Sequence, residues 1–206
     1  MGSYYDAHLA ASELAKYRTD GPRRWTRTLI EALKAEGVEG STLLDIGGGI
    51  GAIEHELLDA GLANAINVDA SAAYLDAARE ESDRRGHRGR VTYQHGDFVE
   101  LAEAIPPAEI VTLDRVINVY ADWQRLAALS AARAQRLYGL IYPRNTPMVK
   151  IVISAINTRM RLKGQDVRAA VIPVDAIEEI ARENGLRPHF VQNAGPAWQV
   201  AVYRRG

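Results

Sequence analysis

The sequence predicts an α/β fold in three layers: helices on both faces of a mostly parallel, seven-stranded sheet that ends in an antiparallel hairpin. Three observations carry this reading. Short apolar runs alternate with helical stretches from Thr42 to Pro143, and strands separated by helices run parallel through right-handed crossovers. A triple-glycine turn, Gly47-Gly48-Gly49, follows the first of those runs. The last two runs are joined by Asn193-Ala194-Gly195-Pro196, too short for a helical crossover, so they pair antiparallel.

Two helices precede the sheet. The first covers about residues 5–18 and carries Tyr5, Leu9 and Leu14. The second is predicted to begin at Pro22, whose fixed φ suits a first helical position, and repeats Trp25, Leu29 and Leu33. Gly37 is its natural stop. Thr42–Ile46 reads as a buried strand, followed by a helix with Ile53, Leu57 and Leu58 inward and Gly61 at its end. Ala65–Asp69 is the second strand, Ser71 caps a helix to about Gly86, and Arg90–His95 is the third strand. Gly96-Asp97-Phe98 opens a short helix, and Ile110–Asp114 is the fourth strand. Asp122 caps a helix with Leu126 and Leu129 inward, and Leu137–Tyr142 is the fifth strand, closed by Pro143. After an interruption of some thirty residues, Asp175 and Glu178 read as a capping box for a helix with Ile177, Ile180 and Ala181 inside. Strands at about Arg187–Gln192 and Trp198–Arg204 close the chain. Read as one domain, it divides into a helical cap (1–38), a core (39–143), an insert (144–172) and a terminal helix with hairpin (173–206).

Composition narrows the classes. The 206 residues are 47% apolar and 25% charged, ordinary values for a soluble globular chain long enough for one core. A net charge of -1 gives no basic field for nucleic acid, so no nucleic-acid partner is expected. The absence of cysteine removes disulfides, thiolate metal sites and cysteine nucleophiles together. The five histidines lack metal-ligand spacing, so no metal is predicted. Met1 to Ala10 has no apolar run of the signal-peptide kind, and Ile151–Ile156 is far too short to span a bilayer. The expectation is a soluble protein of the cytoplasm.

The stretch Leu43-Leu44-Asp45-Ile46-Gly47-Gly48-Gly49-Ile50-Gly51 carries the most chemistry. Glycines between a strand and a helix let the backbone approach a ligand, and the helix N-terminus offers free N–H groups. Gly47, Gly49 and Ala52 also satisfy the dinucleotide fingerprint. Three features speak against a dinucleotide: Asp45 would repel a pyrophosphate but suit an ammonium, about forty residues precede the first strand, and nothing remains for a separate substrate domain. The acids continue along the edge where open parallel sheets bind ligands: Asp45, Asp69, Asp97 and Asp114 each follow one of the first four strands. Asp69 can accept from two ribose hydroxyls. Asp97 can accept from an adenine amine, or simply cap the helix that follows it.

The succession Asp45-Ile46-Gly47-Gly48-Gly49-Ile50-Gly51, Val68-Asp69-Ala70 and Gly96-Asp97-Phe98 resembles the class I S-adenosylmethionine-dependent methyltransferases. The resemblance covers residues 40–143 and, through the terminal hairpin, 174–204. It implies a Rossmann-like sandwich, S-adenosylmethionine as cofactor, S-adenosylhomocysteine as product, and methyl transfer to O or N of a small-molecule acceptor. The stretch Asp114-Arg115-Val116-Ile117-Asn118-Val119-Tyr120 stands where that family keeps its substrate-side motif, and it is not the Asn-Pro-Pro-Tyr form. By the same resemblance, Gly47 and Gly49 meet the methionine part and Asp45 its ammonium. Asp69 meets the ribose, Ala70 packs on adenine, and Gly96, Asp97 and Phe98 border it. Asp114 and Arg115 lie beside the sulfonium, and Tyr17 and Arg18 close over the methionine carboxylate.

A sulfonium methyl is already activated, so the protein's main task is alignment and exclusion of water. A base is needed only if the acceptor must lose a proton. Tyr120 and His8 are the catalytic candidates, with Tyr142 a weaker base and His95 read as a packed core histidine. Tyr5, Tyr120, Tyr142 and Met148 are the expected substrate contacts. The insert, with its apolar Val149–Ile156 and basic Arg159, Arg161 and Lys163, reads as a lid facing the first helix near Asp114, or as a homodimer contact. A helix lying in a membrane interface and an extra core helix are its alternatives. A non-catalytic nucleoside-binding or regulatory subunit is the alternative to an enzyme.

Overall fold

Strands buried on both faces must be apolar nearly throughout, and β1 (Thr42–Ile46) and β4 (Ala108–Asp114) show this at the centre of the sheet. The computed structural model describes residues 7–162 and 169–206. With β2 (Asn64–Asp69), β3 (Val91–His95), β5 (Ala134–Pro143), β6 (Leu186–Asn193) and β7 (Trp198–Arg205), they form one sheet in the order β3-β2-β1-β4-β5-β7-β6. The first five strands are mutually parallel. β7 runs antiparallel between β5 and β6, which confirms the predicted hairpin and puts its second strand inside. β3 and β6 are the two edges, and β6 is bulged at Pro188, a residue that cannot donate to a ladder.

Helices cover both faces. On one, α6 (Trp123–Arg133) and α8 (Val174–Glu183) pack over Leu44, Val111, Tyr138 and Tyr203. On the other, α2 (Arg24–Ala35) and α3 (Ala52–Asp59) pack over Leu43, Ile110, Leu137 and Val202. α4 (Ala72–Arg85) rests on β2 and β3, and α1 (Ala7–Asp20) lies on α4 through Ala10, Leu14 and Tyr17. A single helical turn, α5 (Phe98–Leu101), follows β3.

Several local expectations change. α2 begins at Arg24, not Pro22, and its buried stripe is Thr26, Leu29, Ile30 and Leu33, with Trp25 at the margin. Asp122 caps α6 by accepting from the Arg125 amide, but Asp175 caps nothing. Pro173 takes the cap position of α8, and Asp175 in the first turn acts on the helix dipole alone. The insert forms α7 (Pro147–Leu162), which leaves the sheet at the C-terminal end of β5. It buries only Val149, so neither a lid over α1 nor a core helix describes it.

α2 is held close to β5 because Gly139 has no side chain. A Cβ there would stand 2.8 Å from Leu29 Cδ1. Leu29→Ala empties that fully buried contact and is expected to cost about 3 kcal/mol by urea unfolding. A loss below about 1 kcal/mol would show that α2 is only loosely docked.

Candidate functional site

The glycine turn is shaped by what lies behind it. Gly47 and Gly49 hold φ of 64° and 58°, the left-handed region that favours glycine. A Cβ on Gly47 would stand 2.4 Å from Val116 Cγ2, and one on Gly48 would stand 2.7 Å from Asn67 Oδ1. The Gly47 amide donates to Val68 O at 2.7 Å. The Asp69 carboxylate then ties the turn to the end of β2: Oδ2 accepts from the Gly49 amide at 3.0 Å and Oδ1 from the Ser71 amide at 2.8 Å. The predicted Ser71 cap therefore works in reverse: Ser71 stands at the N-cap position and donates its amide, and its side chain makes no capping bond. Each Asp69 oxygen keeps a second lone pair for a ligand hydroxyl.

In front of the turn, at the C-terminal edge of the parallel strands, lies a cavity of about 680 Å³. Asp45, Gly47, Gly49, Asp69, Ala70, Gly96, Asp97 and Phe98 form its floor, and Asp114, Arg115 and Tyr120 one wall. The roof is the last half of α1 and the connection to α2. Glu13, Lys16, Tyr17 and Asp20 reach the cavity at i, i+3, i+4 and i+7, one face of a helix.

That periodicity corrects the expected role of Arg18. One residue past Tyr17, it turns off the stripe toward α4, where it binds Glu81 at 2.8 Å and Glu80 at 2.9 Å. Tyr17 lines the cavity, but its hydroxyl donates to Glu56. Tyr142 is fully buried in the core beneath α6 and α8, and does not line the cavity. Met148 is exposed on α7 and His8 on α1, both outside it. His95 is exposed on the edge strand β3, not packed in the core, because β3 has a neighbour on one side only. Tyr5 lies outside the described residues.

The electrostatics centre on Asp45, which is 1% exposed. Its Oδ1 accepts from Thr112 Oγ1 at 2.8 Å, and its buried Oδ2 has no partner. Desolvation, against the Thr112 bond and with the charges of Asp114 and Asp69, raises its pKa to about 7. A buried carboxylate oxygen without a donor, in the wall of a cavity, fits an incoming ammonium group. Beneath the turn, Glu54 is also fully buried and its pKa is raised well above the usual value by desolvation.

At the other end, Asp97 caps its helix as expected and also takes a bond that the sequence did not suggest. Oδ1 caps α5 by accepting from the Val99 amide at 2.9 Å, and Oδ2 accepts from Tyr120 Oη at 2.8 Å in the cavity wall. Desolvation and that bond push the Tyr120 pKa up to about 12. The phenol keeps its proton at neutral pH and stands in the cavity wall. Asp114 accepts from Thr26 Oγ1 at 2.5 Å and from Arg115 Nε at 2.8 Å. Arg115 holds φ of 61°, a conformation costing a non-glycine residue about 1 kcal/mol. It places the guanidinium 5.5 Å from the Trp25 ring and 6.0 Å from the Trp198 ring.

Thr26, Asn67, Glu54 and the Trp25–Trp198 pair were not singled out by sequence. Only Thr26 left a signal, as the polar member of a buried helical stripe. Among the described residues, no group of three or more His, Cys, Asp or Glu is arranged to hold a metal ion.

Fold and site together define an α/β protein with an acid-lined cavity at the C-terminal edge of its parallel strands. The family model of the O-methyltransferase domain matches residues 9–139, and the chain belongs to that family. It is an S-adenosylmethionine-dependent methyltransferase. Its fold is similar to that of magnesium protoporphyrin IX methyltransferase from Synechocystis PCC 6803 with bound SAH (TM-score 0.72, 17% identity, 97% of each chain covered). It is also similar to an O-methyltransferase family protein from Burkholderia thailandensis (0.72, 16%, 98% of this chain and 61% of that one). A third likeness is an S-adenosylmethionine-dependent methyltransferase from Mesorhizobium loti (0.63, 15%, 85% and 96%). No curated protein sequence matches the chain.

Two tests follow from this geometry. The native apo protein holds a proton at Asp45 that the unfolded chain releases near pH 4, so this group's contribution to stability falls as pH rises through about 7. Cofactor affinity should move the opposite way, rising from pH 6 to pH 8 as Asp45 ionises. Asp45→Asn should therefore raise the apo melting temperature at pH 8 while weakening S-adenosylhomocysteine binding at least tenfold by calorimetry. Unchanged affinity would remove Asp45 from the cofactor site. Asp69→Ala should weaken cofactor binding and also lower stability by about 1–2 kcal/mol, because the Gly49 and Ser71 amides lose their acceptor. Loss of stability alone would make Asp69 a purely structural tie.

Proposed function

We propose that the protein moves the methyl group of S-adenosylmethionine to an oxygen of a small acceptor that arrives already ionised. S-adenosylmethionine supplies a methyl on a positively charged sulfur, ready for transfer to a nucleophile held in line. Asp45, Gly47, Gly49, Asp69, Ala70, Gly96, Asp97 and Phe98 hold the cofactor. Asp114 and Arg115 border the reacting methyl, and Tyr120 closes the wall. Residues 1–38 act as the cap of a cofactor-binding core at 39–143.

The observation that carries the reading is that, among the described residues, no imidazole lines the cavity and Tyr120 is held as a phenol. An acceptor that needs no deprotonation requires only alignment and a dry chamber. Charge agrees with this. Lys16, Arg23, Arg24, Arg27 and Arg115 line the roof and wall, and Arg23 and Arg115 are paired to Glu13 and Asp114. Lys16, Arg24 and Arg27 have no ion-pair partner among the described residues, leaving three cations for an anionic acceptor, of which Arg27 donates to the Asp20 and Pro22 carbonyls. Membership of an O-methyltransferase family favours oxygen over nitrogen.

The test is S-adenosylhomocysteine release with small carboxylic acids, acidic phenols, neutral alcohols and amines offered separately. Turnover is expected with the first two classes. An N-methyl product from the amines, with none from the acids, would overturn the reading. Arg24→Gln should raise the acceptor KM about tenfold and leave S-adenosylhomocysteine affinity unchanged. A matching loss of cofactor affinity would assign Arg24 to the methionine carboxylate.

A further inference from the structure

Six large apolar side chains stand exposed among the described residues, and five of them lie on α7: Met148, Ile151, Val152, Ile156 and Leu162. Met148, Ile151, Val152 and Ala155 follow each other at i, i+3, i+4 and i+7, and Leu162 continues the stripe one heptad later. The stripe points away from the body of the protein, since the helix buries Val149 alone. Lys150, Ser154, Asn157, Thr158 and Arg161 form a polar ridge with the same helical spacing on the other side of the helix, and Arg159, four residues after Ala155, stands within the apolar stripe. With residues near Val171 this ridge lines a shallow groove.

The charge of α7 has one sign. It carries Lys150, Arg159 and Arg161, and there is no acidic residue from Arg144 to Leu162. None of the three cations has an ion-pair partner among the described residues. A two-fold contact of α7 with α7 in a second copy would bury Arg159 in an apolar seam where the helix offers no acid to meet it. An anionic surface answers both halves of the pattern, taking the apolar stripe below its headgroups and Arg159 at its phosphates, with Lys150 and Arg161 adding to the positive potential of the helix.

The helix also stands at the functional edge. It leaves the end of β5, parallel to the strands that carry the site, and the returning chain is held by the Ala170 amide donating to Asn118 O at 2.6 Å. Asn118 belongs to the loop whose Val116, Val119 and Tyr120 line the cavity. We propose that α7 is a docking helix for an anionic lipid surface, lying in the interface plane with the cavity mouth beside it. It touches the membrane without crossing it; no helix among the described residues is long and apolar enough to span one.

The test is flotation of the full chain with phosphatidylcholine vesicles, with and without one quarter phosphatidylglycerol. Binding is expected to the anionic vesicles only, and should weaken at least tenfold between about 50 and 500 mM salt as charge is screened. Ile151→Asp with Val152→Asp should abolish flotation. Melting temperature and S-adenosylhomocysteine affinity should be unchanged, because these side chains are 70% and 51% exposed. Arg159→Glu should weaken binding at least tenfold. The proposal fails if anionic vesicles do not float the protein at low salt, or if the Ile151→Asp, Val152→Asp protein floats like the parent. It also fails if sedimentation reveals a dimer that the same pair dissolves while vesicles bind neither form; the face would then belong to a second copy.

Discussion

Asp45 holds a carboxylate where water cannot solvate it, and the site is organised around that fact. One oxygen is satisfied by Thr112 and the other by nothing in the protein. Burying such a group is unfavourable until a cation arrives, so the apo protein stores a free-energy penalty that a bound ammonium relieves. The neighbouring glycine turn has no side chains to fill the space, and Val116 and Asn67 already occupy the volume that a side chain would need. Backbone shape and buried charge thus specify the same ligand from two directions.

Parallel pairing concentrates the remaining chemistry. Five strands ending at one edge bring Asp45, Asp69 and Asp114 within a single cavity, with Asp97 on the turn after β3. These acids are not equivalent. Asp69 is a tie between two turns, Asp97 is both cap and wall, and Asp114 is a hinge point for Thr26 and Arg115. The strained Arg115 backbone lies where acceptor and cofactor would meet, in keeping with the tendency of functional sites to hold unusual conformations.

The insert shows how one composition supports different structures. An apolar run with basic flanks reads equally as a lid, a dimer contact or an interfacial helix. Once α1 is seen to rest on α4 and α7 to bury one residue, a lid closed by both loses its geometry. What remains is an amphipathic helix whose apolar side faces outward.

The sequence alone determined the architecture and most of the cavity floor. Alternating apolar runs dictate a parallel sheet, and a glycine turn after the first strand can only sit at its C-terminal edge. Asp45, Gly47, Gly49, Asp69, Ala70, Asp97 and Phe98 were therefore legible, because local chain direction places them. The boundary of α2 was not, since Pro22 and Arg24 are both acceptable starts and packing on β5 chooses between them. Nor was the direction of Arg18, which depends on how α1 is rotated against α4, a matter of contacts between Leu14, Tyr17 and Tyr74. Thr26 meets Asp114 across 88 positions of chain, and Asn67 lies under Gly48; no spacing rule encodes either contact. Nor does any spacing tie the Tyr120 hydroxyl to Asp97. Local periodicity fixes elements and their polarity, whereas side-chain partners belong to the packing of elements far apart in sequence, and only the tertiary structure decides those.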